Sequence, residues 1–385
     1  MRTIVKGNVI LPDKVLTGGM VLMEGERISS VSASGKEIPD KNIPCLDYGD
    51  KFISPGLIDL HLHGALGKDV MDGKVESLKK IAWHQAACGV TGFLGSTSSA
   101  SMDAVLKAVE AIKKAQKLQL SSELLGVYIE GPFLNPKKKG AQDPAYIQAM
   151  KREDVDIIVK AVRGLKTIFA MAPEVNNNLR FIPVLKEGGL VVSIGHSDAT
   201  HQQAVESFNQ GITHATHLYN AMRKFLPREP GVVGAVLDSA RVTAEIIADG
   251  VHVHPASVRL AVFRKGSDKI CLITDSVKAS GRGDGIYQMG DLEIVVKGEE
   301  ARLRKSGVLA GSVLTLNRAV KNVAAWTGLP VHQVVGMASL NPARVLGMED
   351  RRGSIQEGKL ANLVVFDREF NVRETILRGQ RITKS

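Results

Sequence analysis

Two histidines one residue apart, His61 and His63, close the apolar run Ile53-Ser54-Pro55-Gly56-Leu57-Ile58-Asp59-Leu60-His61-Leu62-His63-Gly64. On an extended strand, alternation sends both imidazoles to one face and Leu60 and Leu62 to the other, so both rings can reach one metal ion. A lone His-x-His is also compatible with two ordinary strand histidines. Further groups of the same chemistry stand just past later strand-like runs: Glu130, His196, His217, His252 and Asp275. Imidazole and carboxylate together are donor types that suit a divalent metal ion.

Such residues need a frame that gathers strand ends on one face. From Phe52 to about Gly347, apolar runs alternate with amphipathic helical stretches, the pattern of a parallel sheet with crossover helices. Strands are expected near 52–60, 90–97, 124–129, 167–172, 190–194, 214–218, 242–248 and 270–274, with helices near 75–87, 102–118 and 199–208, the last capped by Ser197 or Asp198. Eight strands are what a closed (β/α)8 TIM-type barrel requires, and its active site lies at the strands' C-terminal face. Short β-branched runs at both ends read as small antiparallel strands. The expected architecture is therefore α/β: a barrel over 55–347, and a small β-sandwich-like domain assembled from 1–54 and 348–385.

Composition narrows the class. The 385 residues are 44% apolar and 4% aromatic, as in a globular enzyme, and no stretch has the length of an apolar membrane span. The start, Met1 to Gly7, lacks the apolar core of a signal peptide, which predicts a cytoplasmic protein. Cys45, Cys88 and Cys271 are widely spaced and form no CxxC, so neither a disulfide framework nor a thiolate metal site is indicated. The net charge of +10 is spread along helical stretches without aromatic interleaving, a basic surface and not a nucleic-acid groove. Lys137-Lys138-Lys139, the densest run, falls in a loop after Glu130, either drawing anions toward the site or simply solvated.

Six motifs carry a resemblance: PGLIDLHLHG (55–64), GVYIEGPF (126–133), GHSDAT (195–200), THLYNAM (216–222), DGVHV (249–253) and ITDS (273–276). With them the chain resembles, over nearly its whole length, the N-acetylglucosamine-6-phosphate deacetylases of the amidohydrolase superfamily. Gly353-Ser354-Ile355, Gly358-Lys359 and Ala361 to Val365 resemble the superfamily's closing β motif. The resemblance implies hydrolysis of the acetamide of N-acetyl-D-glucosamine 6-phosphate to glucosamine 6-phosphate and acetate, in amino-sugar catabolism or recycling. Glu130, His196 and His217 match the main metal's ligands, and His61 and His63 those of a second ion present in some members. Glu130 stands where many superfamily relatives carry a carboxylated lysine. Asp275 matches the catalytic aspartate. Arg228 matches the phosphate-binding arginine, with Asn220, the Ala221 backbone, His252 and Gln142 as further substrate contacts. The implied cofactor is one or two divalent ions, zinc or iron first, manganese or cobalt as alternatives, and the implied assembly is a homodimer that completes the phosphate site.

The chain departs from the family's wording at Gly92 to Thr97 and at Asn362, neither a ligand position. The glycine-rich Gly281 to Gly285 segment, directly after the catalytic strand, reads either as a flap over the substrate or as an exposed turn. Two rivals stay open from sequence: an amidohydrolase acting on a cyclic amide or nucleobase, which needs no anion clamp, and a noncatalytic assembly protein on the same scaffold.

Overall fold

At Gly56 the chain leaves one sheet and enters another. A Cβ there would stand 2.2 Å from Thr91 Oγ1, so only glycine lets the two strands approach. The computed structural model describes residues 2–33 and 42–382. Its first sheet takes β1 (Arg2–Ile10), β2 (Val15–Glu24), β3 (Arg27–Ser32) and β4 (Cys45–Pro55) from the start of the chain. The barrel begins with β5 (Leu57–Asp59), so the run expected as one strand over 52–60 is divided between two sheets. A short hairpin, β6 (Gly64–Ala65) and β7 (Lys68–Asp69), follows the histidine pair.

The remaining barrel strands are β8 (Val90–Ser96), β9 (Glu123–Glu130), β10 (Lys166–Met171), β11 (Val191–Ile194), β12 (His214–Ala215), β13 (Thr243–Ile247) and β14 (Ile270–Ile273). They form one eight-stranded sheet in the order β14-β13-β12-β11-β10-β9-β8-β5, with every pairing parallel. This is the barrel expected from the apolar runs. Buried Ile, Leu, Val and Phe on strands and helices form one continuous core around it. Its seam, between β5 and β14, is closed by a side chain: the buried Asp59 carboxylate accepts from Thr274 Oγ1 at 2.6 Å, and beyond it Asp275 N donates to His61 O at 2.8 Å.

Helix Val75–Ala87 falls where its amphipathic period predicts, and Met102–Gln116 stops two residues early. The third expected helix starts later, at His201–Gln210, because Thr200 caps it in a reciprocal box with Gln203. Ser197 and Asp198 are otherwise engaged, the Ser197 hydroxyl and the Asp198 backbone N–H both donating to Glu174.

After β14 the chain builds a three-stranded antiparallel sheet that the sequence reading did not anticipate: β15 (Gly285–Met289), β16 (Leu292–Lys297) and β17 (Glu300–Leu303). Val277, Ala279, Ile294, Val296 and Leu303 give it a small core of its own. The Gly281–Gly285 segment leads into it and is tied down, Tyr287 Oη donating to Gly283 O at 2.9 Å and Gly298 N to Asp284 Oδ1 at 2.8 Å. The chain ends with β18 (Leu363–Phe366), β19 (Val372–Leu377) and β20 (Gln380–Arg381), which return to the first sheet. Its order, β20-β19-β18-β4-β1-β2-β3, joins both ends of the sequence in one seven-stranded sheet around Val5, Val21, Ile53, Leu363 and Ile376.

Candidate metal centre and pocket

His61 and His63 lie just beyond the end of β5, so strand pairing alone does not aim them. Leu62 N donates to Ser96 Oγ at 3.0 Å, His63 N to Ser276 O at 2.8 Å, and Leu60 and Leu62 are buried. These bonds keep the alternation that separates the leucines from the imidazoles. His196, His217 and Asp275 have left-handed backbones, with φ of 47°, 29° and 48°. Non-glycine residues there carry strain of about 1–3 kcal/mol each, which a well-packed surround must offset. Each stands within two residues of a strand end, where the chain must turn away while its side chain stays over the barrel mouth.

The six groups converge in two sets. Glu130 Oε1 lies 3.1 Å from His196 Nε2 and 3.1 Å from His217 Nε2, which are themselves 3.1 Å apart. His61, His63 and Asp275 form the second set, with His63 Nε2 3.2 Å and His61 Nε2 3.7 Å from Asp275 Oδ1. Glu130 touches both, its Oε2 being 3.2 Å from His63 Nε2.

Tautomers test whether these residues fit a cation. His196 Nδ1 is 2.8 Å from the Lys138 carbonyl, which only accepts, so that nitrogen carries the proton and Nε2 presents a lone pair to a carboxylate oxygen. His61 Nδ1 is likewise 3.1 Å from Glu245 Oε2, and its buried Nε2 has no hydrogen-bond partner. Electron-rich atoms face one another in both sets, and a shared cation compensates them. The 3.1 Å spacing is close to the edge of about 3.3 Å that tetrahedral coordination at about 2.0–2.1 Å generates. Both sets therefore fit divalent ions. Without a metal, burial opposes ionisation of Glu130 and Asp275, yet the field of His61 and hydrogen bonds from the surrounding histidines hold both carboxyls below their ordinary range.

Two framework residues escaped the sequence reading. Glu245, on β13, is fully buried and receives His61 Nδ1, His214 Nε2 at 3.0 Å and His217 N at 3.1 Å. The signal was available: a carboxylate inside the apolar run 242–248 demands partners. Lys138 stands out in the sequence only for its charge; in the structure its carbonyl orients His196, while its ammonium pairs with Asp198 Oδ1 at 3.3 Å.

A cavity of about 630 Å³ opens over the two sets. Glu130, His63, His196, His217 and Asp275 are at its floor or walls, and Gln142, Asn220, Ala221 and His252 line it as well. His252 Nδ1 is held by Asp249 Oδ2 at 2.6 Å. Gln142 Nε2 donates to Glu130 Oε2 at 2.6 Å. His61 is buried beneath, and Arg228 is not brought to this pocket: it is exposed in the loop that carries the exposed Phe225 and Leu226. Among the described residues, Arg302 of β17 is the one lysine or arginine lining the cavity, and Met289 and Leu292 of the same added sheet form part of its wall.

The amidohydrolase family model matches residues 52–382. The N-acetylglucosamine-6-phosphate deacetylase of Bacillus subtilis is 36% identical over 379 residues, covering 96% of this chain and 94% of the relative. The N-acetylgalactosamine-6-phosphate deacetylase of Escherichia coli O157:H7 is 37% identical over 331 residues, covering 86% and 87%. The crystal structure of N-acetylglucosamine-6-phosphate deacetylase from Pasteurella multocida superposes with a TM-score of 0.94 at 29% identity, covering all of both chains. On the match across the barrel and on relatives aligned along most of its length, this chain belongs to the amidohydrolase family.

Proposed function

We propose that this chain hydrolyses the acetamide of N-acetyl-D-glucosamine 6-phosphate to D-glucosamine 6-phosphate and acetate, using one or two divalent ions. The convergence of Glu130, His196 and His217 with His61, His63 and Asp275 at the floor of one pocket is the observation that carries the reading. The likeness to relatives that bear this activity in their names supports the substrate.

An ion held by these ligands supplies Lewis-acid polarisation of the carbonyl and lowers the pKa of water to about 7. The chain's own residues do the rest. Asp275, held as a carboxylate, takes the proton of the attacking water and hands it to the leaving nitrogen, turning a poor leaving group into an amine. His252, with Nδ1 donating to Asp249, presents the Nε2 lone pair as an acceptor for a sugar hydroxyl. Asn220 and the Ala221 backbone bind the sugar phosphate from the wall they line. Arg228 is assigned to the phosphate through a homodimer, a reading supported by its exposure beside the exposed Phe225 and Leu226.

Zinc or iron suits the imidazole and carboxylate donors, and manganese or cobalt can replace them. No helix among the described residues is long and apolar enough to cross a membrane. A cytoplasmic site of action follows from the substrate, whose charge keeps it there.

The test is acetate release by purified protein, before and after chelation and with each metal restored. Metal-dependent turnover, far slower on the unphosphorylated sugar, supports reaction and anion clamp together; equal rates on both sugars would remove the clamp. The galactosamine relative makes the C4 epimer the competing substrate to assay beside it.

A further inference from the structure

We propose that Glu245 is a positioning residue that makes His61 a metal ligand and thereby governs whether this centre holds a second ion. The inference rests on the metal-centre reading above and extends it to a residue with no direct access to the pocket.

Glu245 is on β13, and His61 follows β5, separated by 184 residues in sequence. Glu245 Oε2 lies 3.1 Å from His61 Nδ1. A carboxylate accepts and never donates, so the imidazole proton is fixed on Nδ1 and the Nε2 lone pair turns toward Glu130 and Asp275. Tyr128 locks the ring from its face, with centroids 4.2 Å apart and planes 22° from parallel. Nothing else described holds His61 Nδ1. His63, by contrast, has only a 3.3 Å contact between Nδ1 and the Ser98 hydroxyl, a weaker and reversible partner.

Charge leads to the same residue. Among the described residues, Glu130, Asp275 and Glu245 are the three buried carboxylates in contact with the imidazoles of His61, His63, His196 and His217. Two divalent ions bring four positive charges. With Glu245 three negative charges oppose them, and without it only two remain among largely buried side chains, where an uncompensated charge is costly. The first set depends on Glu245 less. His196 is oriented by the Lys138 carbonyl, and Glu245 reaches His217 only through its backbone N–H at 3.1 Å. Removing the carboxylate should therefore empty the His61–His63–Asp275 set while sparing Glu130–His196–His217.

The experiment is a titration of the metal-free full chain with Zn²⁺ by calorimetry, with bound metal counted by elemental analysis, so that no substrate or turnover enters. Wild type, Glu245→Gln, Glu245→Ala and, as the reference for a lost second site, His61→Gln are compared. Wild type is expected to take two equivalents. Glu245→Ala should reproduce the His61→Gln titration, with second-ion affinity weakened about 10- to 100-fold and the first within about threefold. Glu245→Gln, which keeps an acceptor for His61 but no charge, should fall between. The proposal is overturned if the Gln variant or the Ala variant binds both ions as wild type does, if either loses both equally, or if wild type takes only one. Circular dichroism of each variant identifies misfolding, and the near-isosteric Gln variant decides alone if the Ala variant does not fold. Failure of the deacetylase reading is separate: two ions bound as expected, with no acetate released.

Discussion

Gln142 Nε2 donates to Glu130 Oε2 at 2.6 Å while Gln142 Oε1 accepts from Ser99 N at 2.6 Å, so both ends of this amide are spent on the framework of the metal centre. The resemblance suggests a substrate contact at this position. The hydrogen bonds give the side chain a different role, since they occupy one carboxylate oxygen and leave Oε1 to His196 and His217. Gln142→Leu should weaken the first ion about tenfold, read by competition with a chelator. A raised KM with unchanged metal affinity would instead make Gln142 a substrate contact alone.

Asp275 Oδ1 lies 3.2 Å from His63 Nε2 and lines the cavity, whereas Glu130, equally near His63, is bound to both histidines of the first set. Asp275→Asn keeps the shape and removes the proton acceptor that the proposed mechanism requires. Turnover should fall about 10²- to 10⁴-fold with KM little changed. Unchanged turnover would exclude Asp275 from proton transfer.

Proton competition gives a signature for the metal. In the metal-free chain burial opposes a charge on His63, but hydrogen bonds to Asp275 and Glu130 win and raise its pKa to about 9. Its stabilisation is thus fully present below the ordinary histidine value and lost as pH rises through about 9. A metal must displace that proton at neutral pH. Apparent affinity at the His61–His63–Asp275 set should climb as pH rises toward about 9, by roughly tenfold per pH unit for each proton released. Calorimetry in buffers of different ionisation enthalpy reads the released protons; buffer-independent heats at pH 7 would contradict it.

Much of this centre was legible because its histidines and carboxylates sit in short motifs at the ends of apolar runs, and a barrel turns strand ends into neighbours. Eight such runs and two terminal β clusters were enough to anticipate the barrel and the sheet shared by the two ends of the chain. What escaped was long-range or locally ambiguous. Glu245 looks like one charge in a strand until His61, 184 residues away, is placed beside it. The β15–β17 strands are short and half-exposed: Leu292, Ile294 and Val296, and Ala301 and Leu303, alternate over too few residues to stand out, and the pocket-lining Arg302 was invisible with them. The division of the first strand at Gly56 depends on Thr91, a neighbour only after folding.

The barrel seam links fold to chemistry most directly. Asp59 is fully buried, and its carboxylate accepts from Thr274 Oγ1 at 2.6 Å and, at 3.3 Å, from the backbone N–H of Thr274 and of His61. It therefore joins the residue before Asp275 to one of the histidines of the second set, and does so where β5 and β14 share no ladder of their own. Asp59→Ala strands three donors without water to replace the acceptor, at a cost of roughly 2–4 kcal/mol. Both denaturant midpoint and second-ion affinity should drop. The Glu130–His196–His217 set, carried by β9 and by the residues just past β11 and β12, should bind its ion nearly as before. Loss of stability with both ions still bound at wild-type affinity would make the seam a purely structural joint. Loss of the second ion along with stability would mean that closing the barrel and building the metal centre depend on the same hydrogen bonds.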